Sequence, residues 1–306
     1  MTETCDIVII GAGPAGMSAA LYTGRARLST VVLEKAIPGG QILVTDWIEN
    51  YPGFPDGIAP FDLMDKFRAQ AEAFGAKIVT DDARTIVPDG DGWLVKCGSA
   101  DYRARAVIVA TGAAYRRLGL PHEARLVGHG LSYCATCDGP FFRDNEIAVV
   151  GGGDQALMEA IFLTKFAKTV HLIHRRDAFR GTKILQERVF ANEKIAVHWN
   201  SIIEEIQGEE NLEALLLKDT KDGSKSALKI EGLFVSIGMD PLNEMVKGLV
   251  DLNEWGEIVV KPDMSTSQPG IFAAGDIIDC TPHQVATAVG TGVHAAISAD
   301  EYLSRK

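Results

Sequence analysis

The chain carries one glycine signature twice, and this repeat restricts its possible folds more than any other feature. The first copy is Asp6-Ile7-Val8-Ile9-Ile10-Gly11-Ala12-Gly13-Pro14-Ala15-Gly16, an apolar run entering Gly-x-Gly-x-x-Gly and continued by a small-residue segment to Ala26. The second is Glu146-Ile147-Ala148-Val149-Val150-Gly151-Gly152-Gly153-Asp154-Gln155-Ala156. Corresponding positions stand 140 apart: Gly11 and Gly151, Gly13 and Gly153, Gly16 and Ala156. Each copy reads as a buried strand, a tight turn and a helix. The first glycine permits the turn, the second lets the backbone approach a pyrophosphate, and the third small residue lets the helix sit close on the strand. Free N–H groups at the helix start then face the anion.

The two units differ at the end of their second strand. Thr30-Val31-Val32-Leu33-Glu34 ends in an acid, placed where a carboxylate accepts from a ribose hydroxyl. The position 140 further on is His174, at the end of Thr169-Val170-His171-Leu172-Ile173 and followed by Arg175, Arg176 and Arg180. An acid repels a 2′-phosphate and guanidinium forks grip one, so the second nucleotide is expected to be NADPH rather than NADH.

Between the two signatures lies Ser132-Tyr133-Cys134-Ala135-Thr136-Cys137-Asp138-Gly139-Pro140-Phe141-Phe142. A two-residue spacer lets two thiols close a small disulfide ring and reopen it, and exchange runs through the thiolate. Asp138 stands next to the second cysteine, placed to pass a proton to or from a leaving thiolate. A four-cysteine zinc site would need another close pair, whereas Cys5, Cys97 and Cys280 are scattered singly and His122 and His129 lack ligand spacing. Against half of a zinc site or two buried small apolar residues, a redox dithiol is the expected reading, since the motif lies between two nucleotide-binding patterns.

The chain has 306 residues, enough for two domains. Its 30 basic and 41 acidic side chains give a net charge of −11, with the densest basic cluster around 174–183. That balance argues against a nucleic-acid or anionic-membrane surface and for a local anion pocket. No apolar run approaches the roughly 20 residues that span a bilayer. The acidic start leads directly into the first strand, so no secretory signal is expected and a cytoplasmic protein is.

Apolar spacing predicts helices over 60–74, 155–166, 182–191 and 284–303. Strands are expected at 77–79, 83–87, 93–97, 102–103 and 106–112, and again at 195–199, 201–207, 213–217 and 227–230, with a turn at Lys221-Asp222-Gly223. Periodicity is lost from 113 to 121, the expected crossover between domains. Ile271-Phe272-Ala273-Ala274-Gly275-Asp276 resembles a return to the first domain, with Asp276 placed to bond a ribityl or pyrophosphate group. The expected fold is α/β, with two three-layer ββα dinucleotide-binding domains of Rossmann type. The first covers 1–114 and 246–306, and the second, 117–243, is inserted into it. Two linkers at one boundary make a hinge.

Over essentially its whole length the chain resembles the low-molecular-weight, NADPH-dependent thioredoxin reductases. The resemblance is carried by Gly11 to Gly16, Gly39-Gly40-Gln41, Cys134-Ala135-Thr136-Cys137-Asp138-Gly139, Gly151 to Ala156, His174-Arg175-Arg176-Asp177-Ala178-Phe179-Arg180 and Gly275-Asp276. It implies FAD in the first domain, NADPH in the inserted one, a homodimer, and thioredoxin as the protein substrate. It further implies that Cys137 faces the flavin, that Cys134 attacks the thioredoxin disulfide, that Asp138 is the acid/base, and that the NADPH domain rotates. FAD contacts are expected from Gly11, Gly13, Pro14, Ala15, Glu34, Gly40, Gln41, Asn50, Gly275, Asp276, Gln284, Val285 and Ala286. NADPH contacts are expected from Gly153, Asp154, Gln155, Ala156, His174, Arg175, Arg176, Arg180 and Gly238. No metal is expected. Departures from the family pattern are Glu34, Met239-Asp240, and His283 where an arginine is common beside the flavin. Weaker readings are a reductase of a peroxiredoxin-type partner, one fed by reduced ferredoxin, or a nucleotide sensor without turnover.

Overall fold

The computed structural model describes residues 2–44, 47–279 and 282–305. The chain divides into two compact units, Met1–Ala114 with Asp240–Lys306, and Tyr115–Met239. The first opens with β1 (Thr2–Ile10), α1 (Pro14–Arg25) and β2 (Thr30–Glu34). Proline in the first turn and a small-residue interior suit α1, since the N–H that proline lacks would have no intrahelical partner there anyway. It continues through α2 (Pro60–Ala73), β3 (Lys77–Thr80), the antiparallel pair β4 (Thr85–Asp89) and β5 (Gly92–Lys96), and β6 (Asp101–Val109), before the short β7 (Ala113–Tyr115).

Strand β6 explains the layering of this unit. The sequence suggests two strands, at 102–103 and 106–112; the structure has one nine-residue strand parallel to β1 throughout, from Thr2 opposite Asp101 to Ile10 opposite Val109. Its first half also pairs antiparallel with β5 and alternates between buried and exposed side chains. Its second half, from Ala106 to Val109, is buried on both faces. A half-solvated strand keeps period two, whereas one covered on both sides becomes a continuous apolar run. This change of pattern makes one strand read as two.

The second unit is built from α3 (Glu123–Leu126), β8 (Leu131–Ser132), the one-turn helix α4 (Ala135–Asp138), β9 (Glu146–Gly151), α5 (Asp154–Leu163), β10 (Thr169–Ile173), α6 (Lys183–Phe190) and β11 (Ile195–His198). After these come β12 (Ser201–Gln207), β13 (Ala214–Asp219), β14 (Lys225–Lys229) and β15 (Gly232–Ser236). The parallel sheet runs β11-β10-β9-β15-β8, beside an antiparallel sheet β12-β13-β14. One face of the parallel sheet packs Ile147, Val149, Leu172 and Phe234 on Leu157 and Leu163 of α5; the other packs Ala148, Leu233 and Val235 on Ile203, Leu215 and Leu217 of the antiparallel sheet. Helix, parallel sheet and antiparallel sheet make three layers.

The chain then passes through β16 (Met239–Pro241) into the first unit, where β17 (Ile271–Ala273) pairs with the buried half of β6 and α7 (Val285–Ser304) lies along α1. Residues 240–245 belong here, where the sequence reading ends the second domain at 243. Leu242 donates its N–H to Gly112 O at 3.0 Å, and the buried Asn243 is bonded to Gly256 O. The same three layers recur. Ile7, Ile9, Ile108 and Phe272 face α1 and α7, while Val8, Ile10, Val107 and Ile271 face Ile86, Trp93 and Val95 of the hairpin. A Cβ on Gly292 of α7 would lie 2.2 Å from Ala15 O, so only glycine allows the two helices to approach this closely. Each fully buried aliphatic side chain here contributes roughly 1.5–3 kcal/mol of transfer free energy. No described helix is long and apolar enough to cross a membrane.

Candidate active site

Strand β8 is only two residues long, yet it places the dithiol. Leu131 and Ser132 pair with Leu233 and Phe234 of β15, which carries the chain to Cys134 at the start of α4. The N–H groups of Cys137 and Asp138 donate to Cys134 O at 3.2 and 3.1 Å, closing the turn. Cys134 and Cys137 form a disulfide with their Cα atoms 5.3 Å apart. Both are half-buried, so the bond is reachable. The Ser132 hydroxyl accepts from Cys134 N–H at 3.0 Å and donates to Asp138 Oδ2 at 2.5 Å.

The neighbouring Tyr133 is buried and donates its hydroxyl to Glu123 Oε1 at 2.7 Å. Glu123, only 3% exposed, also accepts the N–H groups of Leu118, Gly119 and Leu120. Four donors on one side chain explain how a buried carboxyl group is tolerated. Burial, then the Glu123 bond, pushes the Tyr133 phenol up from its ordinary value. The sequence reading missed both Glu123 and Ser132. An acid opening a helix after Gly-Leu-Pro is a readable sign that it caps the preceding loop; nothing local marks the Ser132–Asp138 pair. Burial pushes the thiols of Cys5 and Cys97 up to about 12, so neither competes as a nucleophile, and Cys280 lies outside the described residues.

The first glycine loop is fixed by close contacts. Gly11 has φ +105°, and a Cβ there would lie 2.2 Å from Ala110 O; one on Gly16 would lie 1.8 Å from Gly11 O. Gly13 is different, for a Cβ there meets only Gly39 O at 3.7 Å. It opens α1, which has neither a capping side chain nor an acid in its first turn, so the helix-start N–H groups stay available to an anion. Gly40, which leads with Gln41 into a 3-10 turn, lies against Gly13, where its own Cβ would be 3.4 Å from Gly13 Cα. Glu34 stands beside the loop, accepting from Ala12 N–H at 3.0 Å and Ala36 N–H at 3.1 Å. A Cβ on Gly275 would be 2.9 Å from Ala15 Cβ, which brings Asp276 to the start of α1. Asp276 pairs with His283 Nδ1 at 3.4 Å, and this carboxylate raises the imidazole above its ordinary range. Asn50 donates to Gln284 Oε1 at 3.1 Å, at the residue preceding Val285 and Ala286 of α7. The buried Thr111 hydroxyl has no partner among the described residues. An uncapped helix start, an open glycine and an orphaned hydroxyl fit a bound dinucleotide.

The second loop repeats this design. A Cβ on Gly151 would lie 2.3 Å from Ser236 O, while Gly153, which opens α5, has nothing within 4 Å. Asp154 at the helix start accepts Thr182 N–H at 2.5 Å, so its charge is engaged in fixing the approach to α6. Gln155 donates to Glu159, and Ala156 is buried against Gly151. Burial raises the Glu159 carboxyl, against the opposing effect of the Gln155 amide and the nearby Ser236 hydroxyl. Gly238 has φ +106° and accepts from Arg116 N–H at 3.0 Å.

His174 is held differently from the arginines beside it. Expected to contact nucleotide, it is 6% exposed, with Nδ1 2.9 Å from Gly151 O and Nε2 3.0 Å from Ala178 O. A Cβ on Gly152 would strike its ring at 2.2 Å. Burial, with the adjacent arginines, lowers its pKa. The ring is a peg that shapes the loop. Arg175, Arg176 and Arg180 are exposed and meet no carboxylate in an ion pair among the described residues.

The family described as pyridine nucleotide-disulphide oxidoreductase matches residues 5–292. The chain is 49% identical to a thioredoxin reductase of Streptomyces clavuligerus, over 99% of this chain and 95% of that one, and 47% identical to that of Bacillus subtilis, over 97% and 94%. The crystal structure of thioredoxin reductase from Streptococcus pyogenes superposes with a TM-score of 0.94 at 44% identity, covering 99% of both chains. That of Giardia duodenalis gives 0.93 at 35% identity with the same coverage. With two glycine cradles, a redox disulfide and full-length relatives of this kind, the chain belongs to the pyridine nucleotide-disulphide oxidoreductase family.

Proposed function

We propose that the protein is an NADPH-dependent thioredoxin-disulfide reductase, holding FAD in the first unit and NADPH in the second. The observation that carries this is the Cys134–Cys137 disulfide, half-buried on a one-turn helix in the same unit as an arginine-flanked glycine loop. The relatives named thioredoxin reductase support the choice of partner.

Bound, FAD and NADPH supply the hydride chemistry that keeps the dithiol reduced. The residues of this chain do the rest. Gly13, Pro14 and Ala15 open a helix start onto the flavin pyrophosphate, with Asp276 and Gln284 at its edges, and Gly153 does the same for the nicotinamide nucleotide. Arg175, Arg176 and Arg180 hold its 2′-phosphate through charge-assisted hydrogen bonds. In the exchange itself, the Cys134 thiolate attacks a sulfur of the thioredoxin disulfide, and that S–S bond breaks as the mixed disulfide forms. Cys137 then attacks Cys134, freeing thioredoxin as a dithiol and restoring the Cys134–Cys137 bond. The two electrons and two protons lost by the dithiol are those gained by thioredoxin. Asp138, next to Cys137, accepts and returns the proton. The same reading makes the protein a cytoplasmic homodimer.

Cys134→Ser tests the assignment. It should leave reduction of the bound flavin by NADPH intact while turnover with oxidised thioredoxin falls to background. Normal turnover by that variant would refute the role of Cys134.

A further inference from the structure

Ser132 stands between the two groups that the exchange depends on. It is the last residue of β8, in register with Phe234 of β15, and is 2% exposed. A hydroxyl has one hydrogen to donate and two lone pairs. Its acceptor side takes Cys134 N–H at 3.0 Å. Two acceptors lie in reach of its hydrogen, Asp138 Oδ2 at 2.5 Å and Cys134 O at 3.4 Å. The shorter bond, to a carboxylate, is the stronger of the two. One buried hydroxyl, fixed to the parallel sheet, therefore ties the start of the dithiol turn to the acid at its end.

We infer that Ser132 is a positioning residue for thiol–disulfide exchange, aiming the Asp138 carboxylate and fixing Cys134 against it. The inference rests on the reading of Asp138 as the acid/base of the exchange. A hydrogen bond donated to a carboxylate favours its charged form, and this one also fixes where the carboxylate points. Removing the hydroxyl takes away this bond to Asp138 and the acceptor of Cys134 N–H. The effect runs through Asp138, which distinguishes it from a general loss of packing.

The test is the pH profile of dithiol alkylation by iodoacetamide, measured anaerobically on the reduced holoenzyme, alongside kcat with thioredoxin. The variants are Ser132→Ala, Ser132→Val, Ser132→Thr, Asp138→Asn and the double variant Ser132→Ala/Asp138→Asn. Ser132→Ala should move the Asp138-dependent inflection to higher pH by about one unit and lower kcat about tenfold, the loss of one charge-assisted hydrogen bond. Ser132→Val should match it and Ser132→Thr, the same shape with the hydroxyl kept, should restore wild-type behaviour. In the Asp138→Asn background, Ser132→Ala should add nothing further. Equal effects of Ser132→Ala in both backgrounds, or failure of threonine to rescue where valine folds, would overturn the inference. So would a profile moved by Asp138→Asn but not by Ser132→Ala, which spares the role of Asp138. A profile unmoved by Asp138→Asn would remove that role and the inference together.

Discussion

The two glycine loops open their helices in the same way and differ in the chemistry around them, although Gly11 has a positive φ and Gly151 does not. Gly13 and Gly153 open their helices with φ/ψ of −77°/−173° and −92°/−179°, and neither helix has a capping side chain. Gly11 and Gly151 face a carbonyl oxygen of the neighbouring strand end at 2.2 and 2.3 Å from where a Cβ would sit. Beyond the second strand the likeness ends. The first loop is held by Glu34, the second by the buried ring of His174 with three exposed arginines beside it. Sterics thus fix the cradle, whereas the choice of nucleotide is left to a few side chains that the cradle does not constrain. The third position shows where the equivalence is looser: Gly16 has no room for a Cβ, and Ala156 carries one.

The glycines give the largest test of this comparison. Gly11→Ala forces both a positive φ and a backbone clash, and should destabilise its unit by about 3 kcal/mol in urea unfolding. Gly151→Ala, meeting the same clash, should be destabilising too. Gly13→Ala and Gly153→Ala should leave stability within about 0.5 kcal/mol while weakening dinucleotide binding roughly tenfold, because the added methyl occupies space meant for phosphate. Similar losses of stability at all four positions would mean that the open glycines are structural as well.

Next in size is the arginine cluster. Replacing Arg175, Arg176 and Arg180 together with alanine should raise KM for NADPH about 100-fold and leave the poor response to NADH unchanged, a loss of two or more charge-assisted bonds. An equal effect on both nucleotides would assign the arginines to the shared pyrophosphate rather than to the 2′-phosphate.

The smallest effects are those of pH, and they run in opposite directions in the two units. His283 is raised by Asp276, so its pairing stabilises the first unit below the ordinary imidazole value near 6.5 and is lost as pH rises through the higher folded value. His174 is lowered by burial, so the second unit loses stability as pH falls through that ordinary value and the ring has to take up a proton. Each effect should be about 1 kcal/mol or less. His283→Ala should remove the alkaline loss, and His174→Asn should lessen the acid one, to which the half-buried His171 and His198 also contribute, read from unfolding midpoints between pH 5 and 9.

Much of the fold is legible in the amino-acid sequence because the decisive elements are local. A strand running into Gly-x-Gly-x-x-Gly carries its turn, its helix start and its apolar run within some twenty residues. The long helices α2, α5 and α7 are readable from periodicity for the same reason. Strand β8, helix α3 and helix α4 are too short to show a period, and β6 changes pattern where its neighbour changes from β5 to β17. The ring of His174 cannot be assigned from its place in the repeat, since only the fold shows that Gly152 leaves room for it. The links from Ser132 to Asp138 and from Glu123 to Tyr133 depend on how β8 and α3 are placed.

The most direct test of the two-cradle account is anaerobic and spectroscopic: the flavin absorbance of the purified protein before and after NADPH, with NADH in parallel. Rapid bleaching by NADPH with little response to NADH is the expected result, since it needs a flavin in the protein and a second nucleotide chosen by its 2′-phosphate. Flavin present but unbleached by either nucleotide would contradict the account, because the second loop would then not serve as a hydride-donor site.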